Sequence, residues 1–395
     1  MPPLPPLQLE LSSLTERDRL RTLRVLDGSA RSRGICEGRP VVTFSSNDYL
    51  GLADHPQLAA AAAQATARHG FGAGASRLLS GHLPPHVELE HALADLVRLP
   101  AALLYSTGYQ ANLGVLTSLA GPEDLIASDQ ANHASLIDGC RLSRARISIY
   151  RHADPVSARS ALQTPGAFRR RFLITESLFS MDGDTAPLAE LSALARDFQA
   201  TLLVDEAHAL GVLGPNGRGL CQQAGVIPDV LVGTLGKAFG SFGGFVAGST
   251  LLQTYLLNRS RSFVFTTAVP PPVAAAALAG VQLALSEEGQ RRRARLLLSV
   301  EALTAVIRDL PLSQRLAAPG PIAPPMAAPI LPIILGPDSA AVAASAKLDA
   351  LGLFVPAIRP PTVPDGTSRL RVTLSAAHED ADVARLTAGL RVALA

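Results

Sequence analysis

The sequence predicts an α/β fold, with a mostly parallel central sheet in a large domain and a smaller C-terminal α+β domain. Three observations carry this expectation. Between residues 100 and 250, short apolar runs alternate with helical patterns. Each run ends in small or polar residues, and open parallel sheets bind ligands at those strand ends. After about residue 270 the alternation gives way to a long alanine-rich helical segment and proline-rich passages. The expected division is an N-terminal helical segment over 1–44, the large α/β domain over 45–270 and the smaller domain over 271–395.

In chain order, a proline-rich leader precedes the arginine-bearing stretch "SLTERDRLRTLRVL" (13–26), expected to be a helix. Seven runs then read as buried strands: "ALLYS" (102–106), "DLIASD" (124–129), "RISIYR" (146–151), "RRFLITES" (170–177), "ATLLVDEAH" (200–208), "DVLVGTLGK" (229–237) and "GGFVAGS" (243–249). Between them lie patterns such as "PLAELSALARDFQA" (187–200), with an early proline and leucines at helical spacing. Beyond them, "VPPPVAAAALAGVQLAL" (269–285) starts a long helix, and "APGPIAPPMAAPILPIIL" (318–335) is a proline-rich passage leading into a strand. "DSAAVAASAKLDALG" (338–352) is a helix closed by glycine, "SRLRVTLSAAH" (368–378) a strand and "EDADVARLTAGLRVAL" (379–394) a last helix.

Composition narrows the function classes. The 395 residues are 48% hydrophobic and 17% charged, as in a globular chain rather than a disordered one. A net charge of +2 calls for no polyanionic partner. The clusters Arg169–Arg171 and Arg291–Arg293 do not suggest nucleic-acid binding, and the second follows "SEEGQ" as a solvated helix face would. Cys36, Cys140 and Cys221 lie far apart without a CxxC, which suggests neither a disulfide framework nor a metal site. The N-terminus has no signal-like apolar core, and "VAAAALAGVQLAL" (273–285) is too short to span a membrane. A reducing, cytoplasmic setting with no membrane partner is the expectation.

The chemistry starts from a lysine. Lys237 and Lys347 are the only lysines, beside 33 arginines. Lysine has a tunable pKa and forms a Schiff base with a carbonyl, whereas arginine stays charged. Lys237 stands in "VGTLGKAFGSFGG", where Gly236, Gly240, Gly243 and Gly244 either let backbone pass close to a bulky ligand or make a tight loop. Thr234, three residues earlier, could reach a phosphate. In "TLLVDEAHALGVLG", Asp205 ends an apolar strand and His208 follows. A carboxylate there needs a cationic partner, such as a protonated pyridine nitrogen, or else caps a helix. "DEAH" also occurs in helicases, but the chain has no GxxxxGK[ST] phosphate loop. "LLYSTGYQANL" runs a strand into a helix start at Ser106–Tyr109, where free N–H groups suit a phosphate. His133, after "DLIASD", is placed to stack on an aromatic ring or to be an ordinary loop residue. Lysine, aspartate, histidine and phosphate-binding turn together are what a pyridoxal phosphate site needs.

With these residues in place, the sequence resembles the α-oxoamine synthases, fold-type I pyridoxal phosphate enzymes, from about residue 15 to 390. "FSSNDYLGL" (44–52), "STGYQAN" (106–112), "NHASLIDG" (132–139), "ESLFSMDGDTAPL" (176–188), "DEAHALGVLG" (205–214), "TLGKAFG" (234–240) and "LRVTLSAAH" (370–378) carry the resemblance. It implies that Lys237 holds the cofactor as an imine, Asp205 pairs with the ring nitrogen, His133 stacks, and His208 and Ser180 lie near the phenolic oxygen. It implies further that Gly108, Tyr109 and Thr234 hold the phosphate and that Arg371 binds the amino-acid carboxylate. Arg21, Asn47, Glu176 and Thr362 fall at substrate-side positions. A homodimer with shared sites is implied, in which Thr266 or Thr267 reaches the partner's phosphate.

"IRPPTVP" (358–364) points within the family to members condensing L-alanine with a pimeloyl thioester, on CoA or a carrier protein. The alternatives are glycine-using relatives, an aminotransferase of the same fold, or a non-catalytic phosphate-binding protein. Two departures bear on the acyl donor or the loop after His208. Ala209–Leu210 replaces a small pair, and Pro84–Pro85 stand where relatives have a polar loop.

Overall fold

The structure, a computed structural model, describes residues 5–28, 32–309 and 328–394. The chain divides into two compact units. The larger comprises Leu50–Ser180 and Asp184–Arg293; the smaller comprises the residues up to Tyr49, Met181–Gly183 and those from Ala294 on. The expected boundaries after 44 and 270 differ from these. The helix Pro271–Leu285 packs on the helices Pro56–His69 and Pro84–Val97 of the larger unit, so the changeover falls later.

The smaller unit opens with β1 (Leu26–Asp27), β2 (Arg33–Cys36) and β3 (Arg39–Thr43). The larger unit holds β4 (Ala101–Tyr105), β5 (Leu125–Asp129), β6 (Arg146–Tyr150), β7 (Arg171–Glu176), β8 (Ala200–Asp205), β9 (Val230–Thr234) and β10 (Gly244–Gly248). The smaller unit ends with β11 (Ile330–Gly336), β12 (Leu353–Phe354), β13 (Ala357–Ile358) and β14 (Ser368–Thr373).

The seven strands expected from the sequence form one sheet in the order β4-β10-β9-β8-β7-β5-β6. Pairing is parallel from β9 through β8, β7 and β5 to β6, and only β10 runs against its neighbours β4 and β9. The apolar runs are continuous because helices cover both faces: β4 and β5 are buried throughout. The parallel register sets Glu176 beside Asp205, and Asp205 beside Val232, so the polar strand ends come out at one edge. Under the sheet, Leu103, Val115, Leu116, Ile126, Phe172 and Val232 belong to one buried apolar cluster.

In the smaller unit, β11, β14 and β13 form an antiparallel sheet, and β12 joins β1–β3 through β3. The helices expected there span Asp338–Ala350 and Asp380–Leu394, with Gly352 left-handed (φ 71°) after the first. Most of the proline-rich passage before β11, residues 318–327, lies outside the described residues.

Three expectations are corrected. The N-terminal helix is Pro5–Glu16, not 13–26. Asp18 turns left-handed (φ 56°), and the following arginines are drawn into ion pairs: Arg19 with Asp338 at 2.7 Å, Arg24 with Asp349 at 3.0 Å. Helical periodicity yields there to charge pairing with distant carboxylates. Arg293 is not on a solvated face. It is buried and donates to the carbonyl oxygens of Gly211 and Ala284, while Arg291 is exposed. Pro84 and Pro85 do not interrupt a loop. They start the helix Pro84–Val97, where proline's missing N–H costs nothing, and His86 Nδ1 accepts the N–H of Leu83 at 3.0 Å.

Candidate active site

The C-terminal ends of the parallel strands enclose a cavity of about 170 Å³. It is lined by Gly108, Tyr109, Asn112, His133, Ser135, Glu176, Asp205, Ala207, His208, Thr234 and Lys237. Eight of the residues singled out in the sequence therefore meet in one place.

Lys237 follows β9 and is half-buried; its Nζ lies 2.7 Å from Nε2 of buried His208. Asp205 closes β8 with 6% of its surface exposed. Its Oδ1 accepts the N–H of Ala207 at 2.8 Å and its Oδ2 the amide of Asn112 at 2.7 Å. Both of these donors are neutral, and the carboxylate lines the cavity together with Lys237.

The helix Gly108–Leu119 begins after β4, with Thr107 as its cap: Oγ1 accepts the N–H of Gln110 at 3.1 Å. Its first turn presents Gly108 and Tyr109 to the cavity, and a Cβ on Gly108 would lie 3.6 Å from Cβ of Thr234. The three residues expected to hold a phosphate are thus adjacent. The Tyr109 hydroxyl is bonded to Asp138.

Two glycines of the lysine loop, Gly240 and Gly244, serve protein packing. A Cβ on Gly244 would sit 2.3 Å from the backbone nitrogen of Gly108, and one on Gly240 (φ 66°) 2.5 Å from the carbonyl carbon of Leu52. The tight-loop reading is the correct one for these two. Only glycine at 244 lets β10 reach the turn that opens the helix at Gly108.

His133 caps the helix Ala134–Ser143, its Nδ1 accepting the N–H of Ser135 at 3.2 Å. The Oγ of Ser135 accepts from Asn112 at 2.9 Å and lies 2.8 Å from the same Nδ1. With its own proton directed to Nδ1, this places the imidazole proton on Nε2. Burial lowers the His133 pKa, favouring the neutral ring. The backbone N–H of His133 donates to Oε1 of Glu176 at 2.5 Å. Burial, then the neighbouring Asp205, pushes the Glu176 carboxyl well above its usual range, so Glu176 holds its proton.

The remaining sequence candidates are not among the residues that line this cavity. Ser180 is buried after β7, in a short hairpin closed by Leu178 against Thr185. Thr266 and Thr267 line a separate, water-sized cavity with Arg77 and Ser106. In the smaller unit, Arg371 on β14 is 7% exposed and donates to Oδ1 of Asn47 at 3.2 Å, which also accepts the Tyr49 hydroxyl at 3.1 Å. Arg21 donates to the carbonyl of Pro360 at 3.1 Å and to Oγ1 of Thr362 at 3.4 Å, so these two expected positions adjoin. Sequence reading passed over Asn112 and Ser135. Their signal was available: both lie within quoted motifs, a polar pair on neighbouring helices that bury apolar faces. Glu206 of "DEAH" serves the fold. Its Oε1 accepts the N–H groups of Leu220 and Cys221 at 2.7 and 3.1 Å, and burial pushes its carboxyl up to about 7.

Residues 39–390 match the aminotransferase class I and II family. An 8-amino-7-oxononanoate synthase of Burkholderia cenocepacia is 46% identical over 393 residues, covering 97% of this chain and 96% of its own. The chain belongs to the α-oxoamine synthases within that family. Among solved structures, a lysine-to-alanine variant of serine palmitoyltransferase from S. paucimobilis with a bound PLP–myriocin aldimine superposes with a TM-score of 0.90 at 29% identity, over 98% of this chain and 96% of that one. An 8-amino-7-oxononanoate synthase from Francisella tularensis gives 0.75 at 27%, over 89% and 96%. The fold is that of the fold-type I enzymes, and the cofactor is pyridoxal phosphate. The cavity fits that group: a buried carboxylate that accepts from two neutral donors suits a protonated ring nitrogen, the helix start at Gly108 suits its phosphate, and a lysine lines the same cavity. Among the described residues no helix is long and apolar enough to cross a membrane.

Proposed function

We propose that this enzyme makes 8-amino-7-oxononanoate from L-alanine and a pimeloyl thioester, with release of carbon dioxide and the free thiol carrier. The observation that carries the reading is the meeting of Lys237, Asp205, His133 and Glu176 in one cavity of a chain 46% identical to an 8-amino-7-oxononanoate synthase along its length. When bound, pyridoxal phosphate supplies the electron sink for negative charge at the amino-acid Cα. The protein's residues do the rest. Asp205 keeps the ring nitrogen protonated, with Asn112 and the N–H of Ala207 fixing the carboxylate. His133 stacks as a neutral ring. Gly108, Tyr109 and Thr234 would hold the phosphate, and His208 and Ser180 would lie toward the phenolic oxygen. Lys237 would hold the cofactor, and its amine would move a proton at the substrate Cα; His208, 2.7 Å from Nζ, orients that amine. Arg371 clamps the substrate carboxylate with its planar fork, held in direction by Asn47. Arg21, Thr362 and neutral Glu176 bind on the substrate side. The working form is a homodimer in which Thr266 or Thr267 reaches the partner's phosphate site, in the cytoplasm.

The test is a substrate matrix: alanine, glycine and serine, each with pimeloyl-, acetyl- and succinyl-CoA. Turnover of alanine with the pimeloyl donor supports the proposal. Preference for glycine with a short donor moves the enzyme to the glycine-using branch, and amino transfer to a 2-oxo acid without CO₂ release refutes condensation. A carrier-protein thioester assayed beside the CoA ester identifies the acyl carrier.

A further inference from the structure

His152, at the end of β6, is absent from every motif considered so far and does not line the cavity. It lies nine-tenths buried between two carboxylates. Its Nδ1 is 3.0 Å from Oδ1 of Asp129 and its Nε2 2.7 Å from Oδ2 of Asp184. Its ring meets the edge of Phe179 with centroids 4.3 Å apart at 88°. Two acceptors facing both ring nitrogens require both to be protonated; burial works against this, but the hydrogen bonds that the ring donates to these carboxylates outweigh it and raise the His152 pKa to about 10.

Each contact leads to the site. Asp129 Oδ1 also accepts the N–H of Ala131 at 2.9 Å, its Oδ2 that of Ala153 at 2.9 Å, and its carbonyl that of Asn132 at 3.2 Å. Asp129 therefore shapes the turn that delivers His133. Phe179 and Asp184 are opposite members of the hairpin after β7, joined by the N–H of Phe179 on the carbonyl of Asp184 at 2.9 Å, and Ser180 follows directly. We infer that His152 is a positioning residue: an imidazolium clamp that locks the His133 turn to the Ser180 hairpin, and so sets both groups against the cofactor. The inference rests on the cofactor reading given above.

The test uses the PLP-reconstituted protein with His152→Gln, Asp184→Asn, Ser180→Ala and the double variant His152→Gln/Ser180→Ala. Readouts are the PLP dissociation constant, the pH midpoint of the near-visible cofactor band and the Tm. Expected is PLP binding weaker by about tenfold for His152→Gln and Asp184→Asn, the scale of one lost charge-assisted hydrogen bond. The band midpoint should move as in Ser180→Ala, and the double variant should move it no further than the stronger single. A lowered Tm with unchanged PLP affinity and midpoint, or shifts that add fully, overturns the clamp. If the wild type takes up no PLP, the cofactor reading fails separately. Hydrogen exchange in the unloaded protein then decides: faster exchange in His152→Gln confined to residues 130–133 and 178–185 supports the clamp, and uniform or unchanged exchange overturns it.

Discussion

At the scale of single residues, the account turns on Asp205 and Lys237. Asp205→Asn keeps the size of the side chain but removes the carboxylate proposed to pair with the ring nitrogen. PLP affinity should fall by about tenfold or more, corresponding to ~1.5–3 kcal/mol for a charge-assisted hydrogen bond, as measured by equilibrium titration. Lys237→Ala should abolish the near-visible band, and Lys237→Arg should not restore it, because a guanidinium does not form the imine. Glu176 gives a pH-dependent test. Its folded pKa lies well above its unfolded value of about 4.3, so the folded state holds a proton that the unfolded state loses. Its contribution is present below that unfolded value and is lost as pH rises toward the folded pKa. The urea midpoint of Glu176→Gln, relative to wild type, should therefore rise between pH 5 and 8. Lys237, Asp205 and His133 were legible because each stands at the end of an apolar run whose length gave the strand. Asn112 stood in view as a polar residue on an apolar helix, but its bond to Asp205, 93 residues away, has no local mark.

At the scale of elements, the lysine loop and the turn at Gly108 are packed backbone to backbone. Gly244→Ala should cost ~1–3 kcal/mol of stability as an overpacking change and also weaken PLP binding, since its Cβ would press on the nitrogen of Gly108. Denaturant unfolding with parallel cofactor titration checks both. The His152 clamp has its own pH signature. With a pKa raised from 6.5 to about 10, its stabilisation is complete below pH ~6.5 and is lost as pH rises through about 10. The stability gap between wild type and His152→Gln should close over that upper range. Elements were legible where local pattern and tertiary demand agree, as in β4 to β10. They were misread where distant charge decides. The stretch 13–26 has helical spacing, but Arg19 is bound to Asp338, 319 residues on. The proline pair at 84–85 was read as a departure in a loop, though its position at the first turn is where a helix accepts proline.

At the scale of the whole molecule, Thr266 and Thr267 line no part of their own chain's cofactor cavity but sit with Arg77 and Ser106. In a homodimer with shared sites, the paired change Thr266→Ala/Thr267→Ala should weaken PLP binding without lowering the Tm of the unloaded protein. Equal affinity to wild type would leave each site self-contained. Only the family resemblance points to such a role, since a hydroxyl that acts across an interface has no local pattern. The amino acid and acyl donor are equally invisible in any one residue, which makes the product the decisive observable. The most direct measurement is mass spectrometry of the reaction with L-alanine and pimeloyl-CoA. The account predicts 8-amino-7-oxononanoate with one carbon dioxide released per product. An amino-transfer product with the alanine carboxyl retained, or turnover of glycine but not alanine, would contradict it.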